Sequence, residues 1–154
     1  IETGLAPEQA GMGTTASVLL CAGTLGVAAQ VGDSRVYQVR AGKTRQITED
    51  HTLINWQLKE GLITEEEAAL SPNRNVITRA VGDRDYVEVD TRAFEIESAD
   101  RYLLCSDGLH GYLNEEEVGR LAGGPLEECC RRFVATANER GGKDNITAVL
   151  VELL

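Results

Sequence analysis

The sequence predicts an α+β fold of antiparallel sheets with helices packed on their outer faces, and three observations predict it. Short apolar runs of strand length crowd the first third of the chain. Helical patterns arrive in later groups, and strand and helix never alternate regularly as βαβ units would. With 154 residues, 42% of them hydrophobic, the chain can bury one real core and has little room for a second domain.

Segments 17–22 and 25–31 are apolar runs joined at Gly23 and Thr24, the pattern of a hairpin buried on both faces. Segment 36–40 continues the meander, and Ala41-Gly42-Lys43 turns it into 44–47. From 53 to 59 the period becomes helical: Leu53, Ile54 and Leu58 share a face, and Gly61 stops the helix. Thr64 with Glu67 is a capping box for a second helix, which Pro72 closes. This polar pair, ending near Asn75, has few large apolar residues and belongs at the periphery.

Val87, Val89 and Thr91 alternate with Glu88, Asp90 and Arg92, and Phe94 and Ile96 carry the pattern on, which predicts a half-buried strand. Segment 101–105 is a compact buried strand. Asn114, with Glu117 at the box position, caps a short helix. Pro125 opens a longer one, in which Leu126, Cys129, Cys130, Phe133, Val134 and Ala137 recur at helical spacing before Gly141. Segment 146–154 is the final strand.

A formal net charge of −10 sets the surface against nucleic acid and anionic lipid and in favour of metal cations or basic partners. The longest apolar stretch, 18–29, is broken by Gly23, Thr24 and Gly26 and is too short for membrane insertion. Cys21, Cys105, Cys129 and Cys130 show no Cys-x-x-Cys spacing, so a reduced cytoplasmic compartment is the simplest expectation. Neither a start methionine nor a signal peptide precedes Ile1, and the chain is expected to be a piece of a longer protein.

Three acids stand at the ends of predicted strands: Asp33 after 25–31, Asp107 after 101–105 and Asp144 before 146–154. Strand ends converge at a sheet edge, so these carboxylates can meet in one cluster. Gathered acids cannot all stay ionised without a cation, and an oxygen-only ligand set suits Mg²⁺ or Mn²⁺. Each acid alone also reads as an ordinary turn or strand-entry residue.

Together with their flanks they read further. Gly11-Met12-Gly13-Thr14-Thr15, Val31-Gly32-Asp33-Ser34-Arg35-Val36-Tyr37, Ile47-Thr48-Glu49-Asp50-His51, Ile77-Thr78-Arg79-Ala80-Val81-Gly82, Leu104-Cys105-Ser106-Asp107-Gly108-Leu109 and Lys143-Asp144-Asn145-Ile146-Thr147 resemble, in order and spacing, successive motifs of bacterial PPM (type 2C) metal-dependent protein serine/threonine phosphatases. The resemblance covers essentially the whole chain. It implies a β-sandwich of two antiparallel sheets flanked by helices, a single domain over 1–154 lacking its N-terminal strands, and a small helical flap at 52–75 beside the site.

It also implies that Asp107 and Asp144 serve a two-metal centre of Mn²⁺ or Mg²⁺, and that Asp33 joins Asp107 at a third, weaker metal. The implied reaction is hydrolysis of phosphoserine and phosphothreonine in proteins by a metal-activated water, with no side chain catalytic beyond that water. Phosphoprotein substrates of a bacterial serine/threonine kinase would be its partners. No cysteine has an arginine six positions later, since Val27, Gly111, Ala135 and Thr136 stand there, so a cysteine-dependent mechanism is not expected. Gly108, Ser106, Asn145, His110 and Arg79 are further candidates for the cleft, whereas His51 reads first as a structural hydrogen-bonding residue. Trp56 reads as a packing residue or a peptide contact, and Asp83 and Asp85 as turn acids.

Family members carry an Asp-Gly pair near the N-terminus whose aspartate bridges the metals. Ala10-Gly11-Met12-Gly13 has alanine at the corresponding place. The implied centre is therefore incomplete, and the alternative is a catalytically inactive binding or regulatory module. A chain without those strands is also expected to leave sheet edges and apolar faces open.

Overall fold

The computed structural model describes residues 11–82 and 85–154, so Ala10, Asp83 and the first ten residues of the single-domain assignment lie outside the described residues. The described residues form two antiparallel sheets. In the first, β1 (Ala16–Ala22) and β2 (Leu25–Val31) make the expected hairpin, and β5 (Asp90–Glu95) pairs with the other side of β2. In the second, β3 (Arg35–Arg40), β4 (Lys43–Gln46), β6 (Arg101–Cys105) and β7 (Ala148–Glu152) lie in the order β4-β3-β6-β7.

Both faces of β3 and β6 are covered, which is why residues 36–39 alternate so loosely in sequence. Val36 and Leu104 face the first sheet, where they meet Ala28, Ile47 and Phe94. Tyr37, Val39, Leu103 and Cys105 face the helices. There α4 (Glu115–Leu121) contributes Val118, and α5 (Leu126–Glu139) contributes Cys129, Phe133 and Ala137, the three residues of its expected stripe that are fully buried. Burial pushes the Cys105 thiol up to about 12.

Capping follows the sequence closely. Thr64 and Asn114 accept from the Glu67 and Glu117 amides, and both glutamates return the bond, closing capping boxes on α2 (Glu65–Leu70) and on α4. Thr52 caps α1 (Leu53–Lys59). The α1–α2 pair is closed at its base by a bridge between Thr52 and Ile77, with the Leu53 amide donating to the Val76 carbonyl at 2.9 Å.

Three expectations are corrected. The first hairpin is not buried on both faces: Val18 is 55% and Leu20 62% exposed, because α4 and α5 pack on the four-stranded sheet, leaving the outer face of β1 to solvent. The strand expected from Val87 begins at Asp90, and its inward face is Phe94 and Ile96, while Val89 and Thr91 lie on the exposed side. Asp107 does not sit in a plain loop. It opens a one-turn helix, α3 (Asp107–His110), too short to leave a periodic signal.

Between the sheets lies one buried polar knot. The fully buried Asp100 accepts from Gln38 Nε2 (3.0 Å), Tyr102 Oη (2.8 Å), Arg40 Nε (2.7 Å) and the Glu97 amide (3.0 Å). Burial pushes its carboxyl up, but these bonds, Arg40's first, hold it well below the usual carboxylate range.

Candidate functional site

Sheet register builds the site. Arg35 of β3 pairs with Cys105 of β6, and Cys105 pairs with Ala148 of β7, so the start of β3, the end of β6 and the start of β7 lie side by side. Continuing outward from this line, the chain reaches Asp33, Asp107 and Asp144. All three line one open cavity of about 580 Å³, together with Gly108 and His110. Helix α1 supplies Ile54, Asn55 and Leu58 to its rim, and Arg74, Arg140 and Lys143 are further cations along the wall.

Each acid is delivered by local structure. Gly32 turns the chain out of β2 at φ +97°, and a Cβ there would stand 2.3 Å from Thr15 Cγ2, so only glycine fits. Asp33 follows, 6% exposed. Its backbone carbonyl accepts from His110 Nε2 at 2.9 Å, tying α3 to the β2–β3 turn. Asp107 opens α3 directly after β6 and accepts the Gly108 amide at 2.8 Å, and Asp144 accepts the Asn145 amide at 2.7 Å.

No lysine or arginine among the described residues forms an ion pair with these three carboxylates. Arg35, which shares the cavity wall with them, is engaged by Asp50, with Nη2–Oδ2 at 2.6 Å and Nε–Oδ1 at 2.9 Å. The Asp33 carboxyl is accordingly pushed up, by burial first and then by the negative charge of Asp107. His110 is pushed down, by burial first and then by Arg35, which favours the neutral imidazole.

The donor set is all oxygen and, among the described residues, none of the three carboxylates is held in an ion pair, which fits a hard divalent cation. Among the described residues, however, no three His, Cys, Asp or Glu side chains draw close enough to hold one ion. The acids share a cavity without forming a closed ligand shell.

The remaining sequence candidates divide. Gly108 and His110 line the cavity. Ser106 and Asn145 stand behind it as a stitch: Ser106 Oγ donates to the Asn145 carbonyl (3.1 Å) and accepts the Thr147 amide (3.0 Å). Arg79 is not on the cavity wall. Asp90 at 2.6 Å and Glu88 at 3.4 Å draw its guanidinium into a neighbouring groove, which it shares with His51 and the half-exposed Trp56. Sequence reasoning missed Arg35, Asp50, Arg74, Arg140 and Lys143 as cavity residues. Lys143 beside Asp144, a cation next to a strand-end acid in an acidic chain, was the available signal.

Gly108 marks the tightest approach. An added Cβ would stand 2.3 Å from the Asn145 carbonyl oxygen, which is backbone and cannot rotate aside, so α3 and the Asp144 segment would have to part. Gly108→Ala is expected to destabilise the protein by about 1–3 kcal/mol and to weaken Mn²⁺ binding. Gly123→Ala, whose Cβ would meet nothing closer than 3.5 Å, is the control. Thermal melts and calorimetric Mn²⁺ titration of the two variants check this.

Comparison with known proteins finds similarity to protein phosphatases. Residues 3–146 match the family described as protein phosphatase 2C. The chain is 42% identical over 144 residues to the serine/threonine phosphatase stp of Listeria innocua, an alignment covering 92% of this chain and 57% of that protein. The Streptococcus agalactiae serine/threonine phosphatase superimposes with a TM-score of 0.92 at 37% identity, covering 99% of this chain and 64% of that one. The catalytic domain of the serine/threonine phosphatase PstP, solved in complex with two manganese ions, does so with a TM-score of 0.83 at 37% identity, covering 95% and 61%. The chain thus spans 57–64% of the length of these relatives.

Proposed function

This chain belongs to the protein phosphatase 2C family, and from that premise we propose that it serves metal-dependent hydrolysis of phosphoserine and phosphothreonine in proteins. The observation that carries the reading is the convergence of Asp33, Asp107 and Asp144 on one cavity with no cationic partner among the described residues. Asp107 and Asp144, with Asp33 beside Asp107, would hold Mn²⁺ or Mg²⁺. When bound, such ions supply a water of lowered pKa and neutralise charge on the phosphoryl oxygens.

The chain's own residues then divide the remaining work. Arg74 and Lys143 enter into no ion pair among the described residues and face the cavity, where they would orient an incoming phosphate dianion. The Arg35–Asp50 pair braces the wall, and neutral His110 holds the Asp33 turn through its carbonyl. Residues 52–75 act as a flap, since α1 forms one side of the cavity. Substrates of a bacterial serine/threonine kinase in the cytoplasm fit this reading, and no helix among the described residues is long and apolar enough to cross a membrane.

The lack of a closed three-residue ligand group among the described residues favours a second reading, a module that binds phosphoprotein without turnover. Hydrolysis of p-nitrophenyl phosphate across a Mn²⁺ titration, with this chain and Asp107→Ala side by side, separates the two. Turnover that rises with Mn²⁺ and vanishes in the variant supports the enzyme. Phosphopeptide binding without turnover in either protein supports the module.

A further inference from the structure

We propose that His51 is a positioning residue that fixes the Gly32–Asp33 turn in the cavity wall and joins it to the base of the α1–α2 pair. The inference rests on the reading of Asp33 as a metal-holding carboxylate.

His51 is 6% exposed and meets both backbone groups of Gly32. Its amide donates to the Gly32 carbonyl at 3.0 Å, and its Nδ1 accepts from the Gly32 amide at 3.1 Å. The Gly32 carbonyl is shared with Gln30 Nε2 at 2.9 Å, but among the described residues the Gly32 amide has only the imidazole. A backbone N–H can only donate, so Nδ1 is unprotonated and the ring proton resides on Nε2. Nε2 lies 3.2 Å from Asp90 Oδ2, and Asp90 is itself held by Arg79 at 2.6 Å. The Gly32 amide thus selects the tautomer and Asp90 holds the ring's orientation, with Arg79 Nη1 3.4 Å from the same Nε2.

The same residue anchors the helical pair. The His51 carbonyl accepts the Thr78 amide at 2.8 Å, next to the Thr52–Ile77 bridge that closes the pair. One side chain and its peptide therefore connect the turn bearing Asp33, the first residue of β5 and the base of the helical pair whose α1 rims the cavity. His110 holds the same turn one residue further on, through the Asp33 carbonyl. The left-handed Gly32 is thus held by His51 and the carbonyl of the next residue by His110, so the backbone is fixed on both sides of the Asp33 side chain.

The side-chain geometry gives a graded test. Asparagine places an amide oxygen close to where Nδ1 accepts, so His51→Asn can keep the Gly32 bond while losing Asp90. His51→Ala loses both. Residues that orient metal ligands change affinity by about 10–100-fold when removed. Mn²⁺ alone, titrated by electron paramagnetic resonance of the free ion, is expected to bind His51→Ala at least about tenfold more weakly than the parent. His51→Asn should retain most of the affinity, and Asp90→Asn should fall between them. Amide NMR spectra should show Gly32 and Asp33 displaced in the alanine variant and near their parental positions in the asparagine variant.

Unchanged Mn²⁺ affinity in a folded His51→Ala, or equal damage in the alanine and asparagine variants, would overturn the proposal. If His51→Ala does not fold, Asn against Asp90→Asn decides: the proposal requires both to bind less well than the parent and Asn to keep the Gly32 resonance. A parent that binds Mn²⁺ but hydrolyses no phosphate defeats the phosphatase reading and leaves this test intact. If the parent binds no Mn²⁺, the Asp33 amide shifts alone decide, and an unmoved Asp33 in His51→Ala overturns the assignment.

Discussion

Asp33→Asn is expected to raise the melting temperature of the metal-free protein and to weaken its hold on Mn²⁺ about tenfold or more. The two effects have one cause. Asp33 is buried beside Asp107 without a cationic partner among the described residues, and its carboxyl is pushed above the ordinary value by burial and then by the neighbouring charge. A carboxyl whose folded pKa exceeds its unfolded one binds its proton more tightly in the native state. Stability is therefore lost as pH rises from the unfolded value through the folded one, and the deficit persists at neutral pH. Asparagine removes the charge that causes it. Saturating cation offsets the same deficit in the parent, adding about 2.7 kcal/mol at a hundredfold excess over Kd. Melts in EDTA and in Mn²⁺ across the acid-to-neutral range test this: a lower melting temperature for Asp33→Asn in EDTA would contradict it.

Asp100→Ala should cost the most stability of the substitutions proposed, about 3–5 kcal/mol, because it takes the buried acceptor from Arg40, which keeps only Glu97 and the Glu95 carbonyl, and leaves the Tyr102 hydroxyl proton and one Gln38 amide proton without an acceptor between the sheets. Against a total of about 5–15 kcal/mol, that leaves a marginal protein. Here the sign of the pH effect is opposite. The folded pKa of Asp100 is depressed, so its contribution is fully present above the unfolded value, about 3.9, and is lost as pH falls below it towards the folded one. Urea denaturation should show the parent losing stability below about pH 4, and Asp100→Asn should flatten that slope while lowering the plateau. An Asp100→Ala midpoint close to the parental one would show that the knot contributes little.

What was legible in the sequence was whatever short-range chemistry decides. Thr64 with Glu67 and Asn114 with Glu117 announced their capping boxes because a box is complete within four residues. That Asp33 and Asp107 could share a cavity was legible because the runs 25–31 and 101–105, which they follow, are apolar enough to be recognised as strands. What escaped depended on a neighbouring layer. Val18 and Leu20 have the apolarity of buried residues, yet no local pattern reports whether anything packs above them. The partner of Arg79 turned on the register of β5, which places Asp90 towards it. α3 has only four residues, fewer than any periodicity needs.

The exposed side of β1 also has a colloidal consequence. Val18, Leu20 and Leu25 form an adhesive strip on a molecule whose net charge is −10, and among the described residues β1 and β7 each have a neighbour on one side only. In dilute buffer, mutual repulsion keeps such strips apart. At about 0.1 M salt the repulsion reaches only about 10 Å, roughly the thickness of a sheet layer, and apolar contact can take over. Solubility should therefore fall as sodium chloride rises, and light scattering that grows across a salt series would show that charge, rather than the strip itself, holds copies apart.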